Sequence, residues 1–476
     1  FGSSGQVGRS PVWCAALHSC SSMATDGAEG WPADRIFAST GTCGLHEIAV
    51  LPGSTPTRPA GVEVASKLTR NIDLQAPMIG GPDSKVVTVD MARSLAYAGS
   101  IGFIHREQSE AAQADMVKQV KNTEHGFILD PATLGPYDMV SDVDQLKATR
   151  GFTAVPITDN RRIGGKLMGL VTARDVEGIV DRKATRLGTI MVPVKDLVVA
   201  QEPIAYREAQ AKMLQEKVGK LPILNKDREL VALICRGDIR RHRDEPRAAR
   251  DANRQLIVGA SVAATGSDWK RAEAVVTAGA DVLNVEMLDG FSATSIDFIK
   301  QLKTSFPGVD VIVGSITSCA QAKSALDAGA DGLRMGSPNF RVGLMEASLL
   351  YDISTFARRE YGIPVIADVK VASEGEFLKA MCLGANACVV DELLAGTEEV
   401  PGQLIYGPGG FRYKSQSATV ALDEQPQLVC KGSSKLLIES LARNLRHGLA
   451  DMGVTGIQQL HQALVAGTLR MERCIM

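Results

Sequence analysis

Three short turns recur in the second half of the chain and leave it little choice of fold: Ala278-Gly279-Ala280-Asp281, Ala328-Gly329-Ala330-Asp331 and Leu383-Gly384-Ala385-Asn386. Each follows a stretch of helical periodicity and precedes a short apolar run. Glycine can take the left-handed conformation that ends a helix, and the residues after it turn the chain into a sheet. The apolar runs are Val282 to Val285, Val309 to Val313, Gly332 to Met335, Val365 to Asp368 and Cys388 to Val390. Runs that alternate with helices make a parallel sheet. The turn glycines are spaced 329 − 279 = 50 and 384 − 329 = 55 residues apart, about two βα units each. An α/β fold of the (β/α)8 TIM-barrel type follows, with its site on the loops at the C-terminal ends of the strands.

A second repeat interrupts this pattern. Gly151 to Ile157 leads to Gly169-Leu170-Val171-Thr172-Ala173-Arg174-Asp175, and Gly219 to Ile223 leads to Leu233-Ile234-Cys235-Arg236-Gly237-Asp238. The offsets are 222 − 156 = 66 and 238 − 175 = 63, so two similar modules stand in tandem. The expected organisation is an extension over 1–30, a discontinuous barrel over 31–126 and 244–476, and two inserted modules over 127–184 and 185–243. A chain of 476 residues, 45% hydrophobic and 22% charged, can bury one such large core and a smaller one.

Composition excludes several functions. The net charge is −2 and the basic residues are interspersed with acids, so no cationic stripe is available to nucleic acid. No run approaches eighteen uncharged apolar residues, so no membrane-spanning helix is expected. The nine cysteines lack CxxC or zinc spacing and read as reduced thiols, with no metal site. The first 25 residues carry Arg9 but no acid, with many Ser and Gly, and read as the end of a mitochondrial transit segment. The alternative is a disordered tail ahead of Met23 on a cytoplasmic protein.

The stretch Leu333-Arg334-Met335-Gly336-Ser337-Pro338-Asn339-Phe340-Arg341-Val342-Gly343 resembles the active-site loop of the IMP dehydrogenase and GMP reductase family. The likeness extends through Trp31-Pro32-Ala33-Asp34, Leu51-Pro52-Gly53, Gly102-Phe103-Ile104-His105 and Met452-Gly453. The tandem modules resemble the paired CBS motifs, or Bateman module, that this family inserts into its barrel. The resemblance implies that a cysteine thiolate attacks the purine C2 and that hydride passes to a nicotinamide cofactor. Gly343 stands where that cysteine would be, and glycine has no nucleophile to offer.

Other positions depart from the family pattern as well. Arg334 and the ribose-binding Asp368 match it. Val369 and Lys370 replace a phosphate-binding Gly-Gly pair, and Asp391-Glu392 replaces Gly-Ser. Two carboxylates near a dianion cost on the order of 4 kcal/mol each at about 4 Å, and the expectation is that Lys370 pairs with one of them and fills the pocket. Gln416 to Ala421 stands in for the base-recognition loop, and the flap after Asp423 is short. Glu286 replaces the aspartate that binds the nicotinamide ribose, and Gly80-Gly81-Pro82-Asp83 departs from a Ser-Ser-Pro-Met stretch. Together these losses lead to the expectation of a catalytically inactive pseudoenzyme, a structural or regulatory subunit with no cofactor in its barrel. Homo-oligomeric or mixed assembly through barrel flanks, tetramer-like by resemblance, is expected, including service as an accessory subunit. The alternative is an active purine-nucleotide oxidoreductase. The resemblance also implies ATP or GTP at the paired motifs, held by Thr172, Asp175 and Asp238.

Overall fold

The computed structural model describes residues 30–38, 42–53, 55–123, 128, 131–150, 154–204, 206–235, 245–288, 290–336, 345–402, 404–406, 412–415 and 427–474. Eight strands run parallel in a closed barrel: β1 (Met78–Gly80), β2 (Ile101–Ile104), β3 (Gly259–Ala263), β4 (Val282–Glu286), β5 (Asp310–Ile316), β6 (Gly332–Met335), β7 (Val365–Ala367) and β8 (Ala387–Val389). The ring closes where β8 pairs with β1, through Cys388 opposite Met78, and where β2 pairs with β3, through Phe103 opposite Gly259. Side chains alternate along each strand. Ile79, Phe103, Val282, Ile312 and Ile366 fill the interior, while Leu283, Val311 and Leu333 face the surrounding helices. This is the packed core of a barrel, not a channel.

The three repeated turns all lie at the end of the barrel where the strands begin. Gly279, Gly329 and Gly384 have φ of +100°, +98° and +105°. The next alanine in each turn donates its N–H five residues back, to Val275, Ala325 and Ala380, which satisfies a carbonyl the helix end would leave free. The fourth turn residue accepts an N–H from the neighbouring strand. Asp281 takes that of Val258 at 2.8 Å, Asp331 that of Val311 at 2.9 Å and Asn386 that of Val365 at 3.2 Å. Lysines from the outer helices neutralise the two buried aspartates: Lys121 bonds Asp281 at 2.7 Å and Lys303 bonds Asp331 at 2.6 Å. Each turn therefore ends a helix and also fixes the register of a strand pair.

Between β2 and β3 lie two three-stranded sheets. One holds Ala154–Thr158, Leu167–Thr172 and Val192–Pro193; the other holds Ala200–Gln201, Lys220–Leu224 and Leu230–Cys235. They meet through a bridge between Lys166 and Glu229 and a small apolar cluster of Leu167, Leu224 and Leu230. The two ends of the chain pair as well, with Arg470–Arg473 flanked by Trp31–Pro32 and Ile48–Val50. No helix among the described residues is long and apolar enough to cross a membrane. The expected extension over 1–30 lies almost wholly outside the described residues.

Candidate active site at the mouth of the barrel

At the ends of the strands a cavity of about 630 Å³ opens between the loops. That volume suits a small-molecule ligand. Strand alternation places its residues: β4 points Val282 into the core, Asn284 above it and Glu286 into the mouth, while β6 points Arg334 inward. Asp368 follows β7 directly, and Asp391 opens the short helix Asp391–Leu394 after β8. The cavity thus gathers Glu286, Arg334, Asp368, Val369, Lys370, Asp391 and Glu392, which are far apart in the chain. Sequence reasoning did not single out Lys85 and Glu107, which also line it. Neither belongs to a recognisable motif, and only the closing of the barrel brings them to the rim.

The electrostatics of the mouth are dominated by buried acid. Arg334 Nη1 lies 3.4 Å from Asp368 Oδ2, with both side chains about nine-tenths enclosed. Burial raises the Asp368 carboxyl above its usual range and Arg334 opposes the rise. Burial likewise raises Glu286, again against the pull of Arg334 and Arg106. Asp391 is pushed up to about 7 by burial, even though its Oδ1 accepts the Gly81 N–H at 2.7 Å; nearby Asp368 and Asp83 add to the rise. Burial lowers His105, which favours its neutral form.

Two expectations about this pocket need correction. Lys370 does not fill it: the side chain is exposed and makes no ion pair with the described residues, while Asp391 Oδ1 takes the Gly81 N–H. Nor do Asp391 and Glu392 form a pair of fixed negative charges. Asp391 is close to half protonated at neutral pH and can donate to an anion, while Glu392 is exposed to solvent that screens it. Gly343 and the stretch Gln416 to Ala421 lie outside the described residues, as does Asp238. Among the described thiols of the barrel segments, burial raises Cys43, Cys319 and Cys388 and pushes Cys382 up to about 12, which disfavours their thiolates, while Cys430 is half-buried and Cys474 exposed; none of the six lines the mouth. In the first inserted sheet, Asp175 Oδ2 accepts from Thr172 N–H at 2.6 Å and from Thr172 Oγ1 at 2.8 Å. That pattern caps the helix Ala173–Glu177 whether or not a ligand binds.

A family model described as IMP dehydrogenase / GMP reductase domain matches residues 43–425. The chain belongs to this family. It is 40% identical to inosine-5'-monophosphate dehydrogenase of Toxoplasma gondii over 407 residues, 83% of this chain and 73% of the relative. It is 33% identical to the enzyme of the same name from Schizosaccharomyces pombe over 466 residues, 90% of this chain and 88% of that one. A solved structure of a cysteine-to-alanine GMP reductase from Trypanosoma brucei, in complex with guanosine 5'-monophosphate, superposes with a TM-score of 0.82 at 26% identity. That likeness covers 93% of this chain and 97% of the reductase. These relatives overturn the expectation of a catalytically inactive scaffold, since those named are enzymes and the resemblance to them spans nearly the whole chain. The physical ground for that expectation is also weaker than the sequence suggested, because the mouth is open and its buried acids are titratable.

Proposed function

We propose that the protein is an oxidoreductase of purine nucleotides, of the IMP dehydrogenase or GMP reductase type. The observation that carries this reading is the open cavity at the strand ends, lined by the Arg334–Asp368 pair and by Glu286. In this reading Asp368 accepts from ribose hydroxyls, and a protonated Asp391 donates to a phosphate oxygen. Glu286, with Met287 and Leu288 beside it in the wall, offers a carboxylate next to apolar surface, which suits the ribose and ring face of a nicotinamide cofactor. When bound, such a cofactor exchanges hydride with the purine. With glycine at 343 and no cysteine among the described residues that line the mouth, we assign the attack on the purine to water: its oxygen bonds to the ring carbon as the C=N π pair shifts to nitrogen, its proton passes to a mouth carboxylate, and the carbon's hydrogen would leave as hydride to the oxidised cofactor as the C=N bond re-forms.

The inserted pair over 127–184 and 185–243 is read as a CBS module that takes ATP or GTP near Thr172 and Asp175, with assembly through the barrel flanks. The test of function is turnover. The purified full chain is incubated with IMP and NAD+, or with GMP and NADPH, and NADH or NADPH is followed by absorbance, with Gly343→Cys as a parallel arm. Saturable turnover by the unmodified chain is expected, and a thiol at 343 should raise it. Absence of turnover in both directions, with the cysteine variant equally silent, would overturn the reading.

A further inference from the structure

The stretch of the mouth that follows β8 is too short to hold itself in place. Helix Asp391–Leu394 has four residues, far fewer than an isolated helix needs to persist, yet Asp391, Glu392, Ala395 and, a little further on, Val400 all line the cavity. One tie is the bond from the Gly81 N–H to Asp391. Another comes from Lys431, whose Nζ donates to the carbonyls of Glu392 at 3.2 Å and Leu393 at 3.0 Å, groups that the end of a helix leaves free. Main-chain bonds join the same two segments: Lys431 N–H meets Gly396 O at 3.0 Å, and Glu398 N–H meets Gly432 O at 2.9 Å. The Glu399 carboxylate then accepts the Ser433 hydroxyl and the Ser434 N–H, both at 2.8 Å. It caps helix Ser434–Asp451, which has no acid in its own first turn and no cap from the Ser433 side chain. Neither Lys431 nor Glu399 lines the cavity.

We propose that residues 431–434 are a latch on the mouth wall over 391–400, and that Lys431 is a positioning residue for the nucleotide. The latch joins the carbonyl end of the short helix to the start of the long one, so Asp391 and Glu392 meet the ligand from a single position. The Lys431 side chain is itself exposed, so water can replace its ammonium on the two carbonyls. Its loss therefore falls on the local order of the wall rather than on the stability of the whole chain. The inference rests on the proposed function only for the ligand used in its second arm.

The first arm is amide hydrogen exchange of the full chain, read by mass spectrometry over 391–397, where the Leu393, Leu394, Ala395 and Thr397 N–H groups are hydrogen-bonded to nearby carbonyls. It compares the unmodified chain with Lys431→Met, which keeps the stem and loses the ammonium, and with Lys431→Arg, which keeps a cationic donor. The second arm measures KM and kcat of the three chains with whichever of IMP or GMP the unmodified chain turns over. In the methionine variant, exchange over 391–397 is expected to be about tenfold faster, and KM about tenfold higher with kcat within about twofold; arginine restores both to within about threefold. A methionine variant with the unmodified exchange rate, or with an unmoved KM, overturns the proposal, and so does an arginine variant as loose as the methionine one. If the unmodified chain turns over neither nucleotide, the functional reading fails and the exchange arm alone decides the latch.

Discussion

Asp391→Asn is the sharpest probe of the mouth. The asparagine keeps an oxygen for the Gly81 N–H and cannot ionise. In the folded chain the Asp391 carboxyl titrates at about 7, against an ordinary value of 3.8. The folded value is raised, so the contribution of this group to stability is complete below pH 3.8 and is lost as pH rises through 7. About three units at roughly 1.4 kcal/mol each give at most about 4 kcal/mol of stability removed at high pH. Most of that loss, about 3 kcal/mol, falls between about pH 5 and about pH 8.5. Urea unfolding followed by the fluorescence of Trp269, on the barrel helix Trp269–Thr277, gives the stability of both chains at the two pH values. The expected outcome is a variant whose advantage grows with pH by that amount. A difference between the chains that does not change with pH refutes the reasoning, and so does a variant that is the weaker chain at high pH.

Other outcomes follow from the same contacts. Lys121→Met leaves the carboxylates of Asp251 and Asp281 buried without their shared cation and should cost about 3–5 kcal/mol, read as a fall in urea midpoint. Gly384→Ala forces a side chain into a left-handed residue against the Ser354 hydroxyl, and a loss of at least about 1 kcal/mol should appear as a lower Tm. Burial and the Arg358 charge lower His461 to about 3, so its contribution is present above its ordinary 6.5 and lost as pH falls toward 3. His461→Gln should therefore flatten the loss of stability in that window, and a variant with an unchanged acid slope would refute the assignment.

The barrel was legible because its signals are local. A glycine that ends a helix and a β-branched run that follows it act within a few residues, and the three turns and their strands are found where the repeat put them. The placement of Arg334 and Glu286 toward the mouth follows from strand alternation, which is also local. What the turn aspartates do was not legible. Asp281 and Asp331 read as punctuation, yet each takes the amide of a neighbouring strand and a lysine from a distant helix. Asn284 gave no signal either, because the Ser261 hydroxyl that its amide meets comes alongside only when β3 and β4 pair.

The pseudoenzyme expectation went astray for the same reason. Val369, Lys370, Asp391 and Glu392 were weighed by charge and residue type, as if each faced the ligand with its ordinary ionisation. Enclosure under the closed strands changes that ionisation, and Asp391 takes the Gly81 amide while Lys370 stays exposed. The sequence by itself determined the alternation of strands and helices, the turns and the side of each strand that faces inward, because steric and hydrogen-bonding rules act between near neighbours. Only the tertiary structure decided which distant groups share a cavity and how strongly each holds its proton, because desolvation and Coulomb energy depend on three-dimensional separation.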